Sequence, residues 1–496
     1  MSSIPEAASV LLARGPGSAE VFVVRRADAL RFLGGFHAFP GGKAAPEDAD
    51  RRTAAARELF EETGVLLARR PDGAFPASGP ELDQLRTDLL AERLPFSELL
   101  ARLGVTIRPD DLAVAGVLVT PPFSSVRFDT TFYVAVLPPN QTAEVWPGEL
   151  TSGEWMPADA ALQTWENGDI LLSPPTVALL RAVRGRPVEE LPGRIAPLLD
   201  ALAAGALHPI FFSPAVLMIP LHCRGLPPTT HTNAYLVGDN PAYLLDPGPD
   251  DAAEQARLFD LLDERLRGGR LGGVVLTHQH PDHVGAAAAC AARYRAPVVA
   301  HPKTAAALAG RVAVDRRLED GATLDLGRAP HGRPWRLEAL HTPGHAAGHL
   351  AFFEATYRLL FAGDMVSTMS SIIIAPPEGD LALYLESLGR LRTLPTRLLL
   401  PAHGPPSARP EAVLDERVAH RRKREAQLVE ALAAGPRRVA DLAQDLYRGL
   451  PAELMRLGEL QTLAGLRKLQ REGRAEAGGG EADAEWRLCN PTGETP

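Results

Sequence analysis

Thr277-His278-Gln279-His280-Pro281-Asp282-His283 places four ligand-type side chains within seven residues, directly after the apolar run 273–276. A short apolar run bounded in this way reads as a buried strand, which presents the polar cluster at its C-terminal end. Imidazole nitrogens and carboxylate oxygens are the donors that hold Zn²⁺, Mn²⁺ or Fe²⁺. A lone histidine is most often a core or surface residue, but His-x-His-x-Asp-His behind an apolar strand points to a metal. Nine of the fourteen histidines lie between His278 and His403, more than twice their even share. Three further pieces come in order: Thr342-Pro343-Gly344-His345, Phe361-Ala362-Gly363-Asp364 and Pro401-Ala402-His403-Gly404. Each sets one ligand-type residue just after an apolar segment or in a Gly/Pro turn. Strands expected near 215–220 and 232–237, then alternating βα signals as far as His403, predict a layered α/β domain.

Together these four motifs resemble the metallo-β-lactamase superfamily. The resemblance implies an αββα sandwich with two ions (Zn²⁺, or Mn²⁺ or Fe²⁺), one held by His278, His280 and His345 and the other by Asp282, His283 and His403. Asp364 would bridge them, and Asp282 and Asp364 would be the catalytic carboxylates. His349 is a weaker candidate for substrate or metal, equally suited to fixing local structure. Two divalent ions lower the pKa of a shared water from ~15.7 towards ~7, which suits hydrolysis of an ester or a phosphodiester. A β-lactamase should be exported, yet the opening residues show neither a basic nor an apolar leader region. The diiron flavoprotein branch carries a Glu where His280 stands, and the 38 residues between Asp364 and His403 leave no room for the inserted domain of the β-CASP nucleases. Two branches remain, the glyoxalase II-like thioesterases and the β-lactamase-like protein 2 type.

The N-terminal part carries a second pattern. Between Gly41-Gly42-Lys43 and Gly64-Val65 a helix is expected over about 50–62, bearing Glu58, Glu61 and Glu62 on one face at i, i+3 and i+4. Like charges at that spacing repel unless a cation sits among them, and oxygen-only donors suit Mg²⁺ or Mn²⁺ beside substrate phosphates. Arg57, Glu58, Glu61, Glu62, Gly64 and Val65 resemble the Nudix box, and their surroundings resemble the subfamily that includes peroxisomal coenzyme A diphosphatases. The resemblance implies an α/β/α sandwich that cleaves a nucleoside diphosphate linked to another moiety, with Glu61 catalytic and Arg57 supporting the loop. One feature departs from the pattern: Gly42 to Arg57 spans 15 positions, one more than usual, so neither Glu47 nor Asp48 falls on the first Glu of the box.

The expected organisation is therefore an α/β (α+β) multidomain chain: a Nudix domain at 1–185, a linker at 186–210, a metallo-β-lactamase domain at 211–408 and a winged helix at 411–490. The winged helix rests on helical runs near 411–433, 439–447 and 460–473, then a Gly-rich hairpin whose turn is expected at 478–480. This order resembles the C-terminal domain of the β-lactamase-like protein 2 branch and implies an endoribonuclease-type relative. Residues 409–474 hold 14 Lys/Arg against 10 Asp/Glu, in a chain whose net charge is −9. Single-stranded RNA is thus a candidate partner, although the run His420-Arg421-Arg422-Lys423-Arg424 lacks interleaved aromatics for stacking bases. The other expected partners are a nucleotide or CoA-type small molecule and a second copy in a homodimer. No run of about 18 apolar residues suggests a membrane span. Three scattered cysteines suit a reducing compartment, and the expected location is the cytoplasm. The rival functions are a thioesterase paired with a coenzyme A diphosphatase, and a Nudix domain that only senses nucleotide.

Overall fold

The computed structural model describes residues 4–15, 19–203, 210–267, 269–478 and 484–489. The chain forms two compact units, Met1–Met218 and Ile219–Pro496.

The first unit is a mixed seven-stranded sheet with helices against it. Its central strand, Glu6–Arg14, pairs in parallel with Asp129–Val136 and antiparallel with Gly41–Lys43 and Glu20–Arg26. Pro16 and Gly17 of the expected turn between the first two strands lie outside the described residues. The carboxylate-rich helix runs Arg51–Thr63: Asp50 caps its start by accepting from Thr53 N, and Gly64 ends it in the left-handed conformation at φ 74°. Ala55, Ala56, Leu59 and Phe60 are buried on its inner face. That face fixes the rotation of the helix and leaves Glu58, Glu61 and Glu62 together on one side. Two further helices, Pro80–Leu90 and Phe96–Leu103, come before the strand Ala113–Val119.

Most of the described residues within the expected linker 186–210 are helical. Leu191–Ala203 is helical and packs on the strand Ala113–Val119, with Leu191, Ile195 and Leu199 buried. Those three residues form an i, i+4, i+8 apolar stripe. The Pro, Gly and Arg around the stripe hide it from a reading by composition.

In the second unit Val216–His222, His231–Val237, Ala242–Leu245, Leu271–Val275, Val298–Ala300 and Arg316–Arg317 lie side by side in that order. A second sheet orders Thr323–Arg328, Pro334–His341, Leu350–Glu354, Leu359–Ser367 and Leu398–His403. The two sheets meet where the rings of Tyr235 and Phe361 lie 5.3 Å apart and Tyr235 donates its hydroxyl to Pro401 O (2.8 Å). Leu271–Val275 runs parallel to its neighbours, so the histidine cluster leaves its C-terminal end. Leu359–Ser367 and Leu398–His403 are also parallel, with Ser367 opposite His403. Parallel strands bring their C-terminal loops to one rim, which is where ligands gather in such sheets.

Beyond His403 come the helices Pro410–Ala433, Val439–Leu446 and Met455–Arg471, and a three-stranded sheet of Arg437–Arg438, Glu485–Leu488 and Ala475–Gly478. Gly479 and Gly480 of the expected hairpin turn lie outside the described residues. Leu428, Leu432, Leu442, Leu466, Leu469 and Trp486 form a small core there, while Leu414 and Ala464 join the core of the sheet above through Tyr384 and Leu388. The helices beyond the proline-rich stretch 401–410 therefore have a small core of their own and also pack on the sheet above. Among the described residues no helix is long and apolar enough to cross a membrane.

Candidate metal centres

The seven residues of the four motifs converge. His278, His280, His345 and Asp364 offer donor atoms within 4.8 Å of one another, and Asp282, His283 and His403 do the same beside them. Nε2 of His278 and Nε2 of His345 each lie 2.9 Å from Nδ1 of His280. Asp364 faces both groups with different oxygens: Oδ2 is 3.5 Å from His345 Nε2, and Oδ1 is 3.2 Å from His403 Nε2 and 3.6 Å from His283 Nε2. Asp282 Oδ2 lies 3.5 Å from both His283 Nε2 and His403 Nε2.

His283 Nε2 and Asp364 Oδ1 are buried with no hydrogen-bond partner. A buried polar atom left unsatisfied costs about 1–3 kcal/mol, so two of them 3.6 Å apart fit a site built for a cation. The donor set, imidazole with carboxylate, fits Zn²⁺-like ions. Charges in the site oppose one another. Burial disfavours the charged form of His278 and holds it well below the usual imidazole range, with the neighbouring histidines adding to the effect. Burial would raise Asp364, but His403, His283 and His345 outweigh it and hold the carboxyl well below its usual range.

Several of these donor side chains are held from behind. His345 Nδ1 lies 2.8 Å from Ile373 O and His403 Nδ1 lies 3.0 Å from His231 O. Thr232 donates its hydroxyl to Asp282 Oδ2 (2.9 Å). His349 accepts the Asp364 N–H at Nε2 (3.0 Å), while its Nδ1 lies 2.9 Å from Thr342 Oγ1. Of the two roles open to His349, the geometry shows the structural one. Gly363, at φ 49°, makes this contact possible, because a Cβ there would sit 2.6 Å from His349 Nε2.

Asp246 is the residue that sequence reasoning missed. Its Oδ2 lies 3.0 Å from His283 Nδ1 and accepts from Thr277 Oγ1 (2.7 Å), which in turn lies 2.9 Å from His278 Nδ1. One carboxylate thus orients a histidine of each group. Its signal was a lone Asp in Leu245-Asp246-Pro247-Gly248, after an apolar strand. Loss of such supporting partners typically costs 10–100-fold in metal affinity. Asp246→Ala is accordingly expected to weaken Zn²⁺ binding by about that factor, and competition against a chromophoric chelator will measure it. Unchanged affinity would refute the orienting role.

In the first unit, Arg57 Nη1 donates to Glu58 Oε1 (2.9 Å) and Glu61 Oε2 (3.0 Å), and Arg57 Nη2 donates to Asp48 Oδ2 (2.9 Å). Asp48 is thus the loop carboxylate that Arg57 holds, and Glu47 is exposed beside it. Glu62 accepts the Gly41 N–H (2.7 Å). The Glu58 carboxylate rests directly on the loop at Gly42, where a Cβ would lie 2.3 Å from its Oε2. The three glutamates do not converge as the histidines do. Burial pushes the Glu58 carboxyl up to about 7 despite Arg57, and burial with help from Glu58 pushes Glu62 up to about 8. Carboxyls that resist ionising without a cation beside them, presented as oxygen donors alone, fit Mg²⁺.

The raised Glu62 carboxyl makes stability depend on pH. Between the ordinary carboxyl value of 4.5 and about 8, Glu62 keeps its proton when folded and loses it when unfolded. The folded state then binds more protons, so metal-free stability falls as pH rises through this window. Glu62→Gln removes the titration and is expected to gain on the wild type by on the order of 2 kcal/mol between pH 5 and 8. Denaturant melts at both pH values give the difference, and a constant gap would contradict it.

Two family descriptions match this chain. The metallo-β-lactamase superfamily covers residues 227–403, and the NUDT19 Nudix domain covers residues 43–183. The chain joins a Nudix domain to a metallo-β-lactamase domain. Both are hydrolase domains. The β-lactamase-like protein 2 homolog of Drosophila melanogaster is 27% identical over 274 residues, covering 53% of this chain and 89% of that protein. A hydroxyacylglutathione hydrolase of Bdellovibrio bacteriovorus is 29% identical over 33% of this chain and 62% of its own length. The Nudix domain is similar to the putative nudix hydrolase 7 of Caenorhabditis elegans, 29% identical over 36% of this chain and 59% of that protein. The chain therefore spans less than two thirds of the length of these last two relatives. A β-lactamase domain protein from Burkholderia ambifaria shares the metallo-β-lactamase fold, with a TM-score of 0.51, 24% identity, and coverage of 57% of this chain and 94% of its own.

Proposed function

We propose that the chain is a metal-dependent hydrolase with two separate reactions. The first is hydrolysis of an ester or thioester at the histidine-rich centre, with a phosphodiester as the alternative bond. The observation that carries it is Asp364, whose two oxygens face two histidine groups while Oδ1 and His283 Nε2 stay unpartnered. In this reading His278, His280 and His345 would hold one ion and Asp282, His283 and His403 the other, with Asp364 a donor available to either. Two such ions, Zn²⁺ or Mn²⁺ or Fe²⁺, supply a water acidified towards ~7 and positive charge for the substrate oxygen. The protein's own part is to hold the donors. Asp246 and the carbonyls of His231 and Ile373 fix the imidazoles, and Thr232 fixes Asp282. The hydroxyacylglutathione hydrolase relative supports a thioester as the bond cleaved.

The second reaction is Mg²⁺- or Mn²⁺-dependent cleavage of a nucleoside diphosphate derivative in the Nudix domain. Glu58, Glu61 and Glu62 would hold the ion there, with Arg57 fixing the helix to the loop through Asp48. The domain order is read as Nudix, metallo-β-lactamase fold and a C-terminal winged helix.

The test is a substrate panel on the purified chain: acyl thioesters, RNA and nucleoside diphosphate derivatives, each with Zn²⁺ or Mg²⁺. Thioester turnover with Zn²⁺ and diphosphate turnover with Mg²⁺ are expected. If neither metal supports any of these reactions, the proposal fails.

A further inference from the structure

Resting on the reading of the histidine-rich centre as an ester or thioester hydrolase, we propose that an apolar cleft built by the C-terminal helices receives the acyl or aryl group of its substrate. The cleft holds about 150 Å³ and is lined by Leu226, Ile373, Tyr447, Leu450, Leu454 and Leu457, with Ser370, Ser371 and Gln461 among them. None of these six apolar side chains is fully buried, and Leu226 is 45% exposed. Partly open apolar side chains from three separate segments around one cavity are a binding surface in form.

The cleft adjoins the metal ligands. The loop that floors it runs from one histidine group to the other: Thr368 N donates to His403 O (3.1 Å), and Ile373 O lies 2.8 Å from His345 Nδ1. Ile373 therefore belongs to the cleft wall and also backs the His345 ring, which sets the cleft next to that histidine.

Charge argues for an apolar occupant over a polyanion. No Lys or Arg lines the cleft. The arginines behind it are spent on the protein itself. Arg417 donates to Ser370 O, Arg421 to Ile372 O and Gln461 Oε1, and Arg424 to Leu446 O while lying over the Tyr447 ring. Arg421 is buried. The basic run that suggested RNA thus partly serves to fasten the C-terminal helix to the cleft floor. A strand of RNA needs cations along its path and aromatic faces for its bases.

An apolar cavity of about 150 Å³ accommodates benzene, so the cleft suits a six-carbon chain or a phenyl group. In the reaction, water oxygen bonds to the acyl carbon, the acyl–sulfur bond breaks, and the products are a carboxylate, a thiol and a proton. Each methylene that enters the cleft is worth about fourfold in kcat/KM. Zn²⁺-loaded full-length protein is therefore expected to favour hexanoyl over acetyl thioester by well over tenfold, with no further gain for longer chains. Leu454→Asp and, on another wall, Leu226→Ser should flatten that series and leave acetyl thioester turnover unchanged. A readout independent of turnover is saturation-transfer NMR on the metal-free chain, where benzamide should bind and the Leu454→Asp variant should not bind it. Acetyl turnover with a flat chain-length series in the wild type would overturn the cleft and leave the hydrolase reading standing. Faster cleavage of RNA than of hexanoyl thioester would overturn it as well. No turnover of any ester or thioester would bring down the hydrolase reading itself, and this inference with it.

Discussion

Asp364→Ala is expected to abolish hydrolysis at the histidine-rich centre, by on the order of 10³-fold or more, and to take at least one of the two ions with it. The reason is geometric. Its Oδ2 faces His345 and its Oδ1 faces His403 and His283, so one carboxylate balances charge for both donor groups. Without it, five histidines and Asp282 remain, and no carboxylate faces both groups. The fold should survive, because the Asp364 backbone N–H still has His349 to donate to. The Nudix reaction in the same protein is the internal control and should continue at the wild-type rate. Metal analysis and both assays on one preparation decide the matter, and full metal content with unchanged thioester turnover would refute the bridging role.

Glu61→Gln is the second large effect. Glu61 is one of the two carboxylates gathered by Arg57 Nη1, at 3.0 Å, and its side chain is only 21% exposed. A glutamine keeps an oxygen for that contact but brings no charge to an ion. Diphosphate hydrolysis is expected to fall by about 10²–10³-fold, the usual cost of removing one electrostatic stabiliser. Stability should change little, since the glutamine oxygen still accepts from Arg57 and loss of one repelling charge acts in its favour. Thioester turnover should not change. Diphosphatase activity at the wild-type level would show that the carboxylate face of this helix is not a metal site.

How much of this was legible depends on whether a residue acts through its type or through its place. The convergence of the seven donor-type residues of the second unit could be anticipated because metal donors have few chemical substitutes and these were clustered after apolar strands. The helix Arg51–Thr63 could be read because its cap, its apolar face and its closing Gly64 all agree. Asp246 could not be read, because one Asp after one strand is common and its meaning comes only from Thr277 and His283 reaching it in space. Asp48 was hidden for the opposite reason. The long loop shifts it out of register with the motif, while the folded chain still delivers it to Arg57. The helix Leu191–Ala203 was hard to read because the surrounding Pro, Gly and Arg mask the buried stripe Leu191, Ile195, Leu199. Arg421 belonged to a basic run that reads as a solvated face, yet it is buried against Ile372 O and Gln461.

The most direct test of the central claim is the transition-metal content of the purified full-length chain, measured by elemental analysis against protein concentration in wild type and in the His278→Ala, His403→Ala double variant. Two ions per chain in the wild type, with both lost in the double variant, is the predicted result. A wild type that binds one ion or none after equilibration with Zn²⁺, or a double variant that keeps two, would contradict a dinuclear centre at these residues.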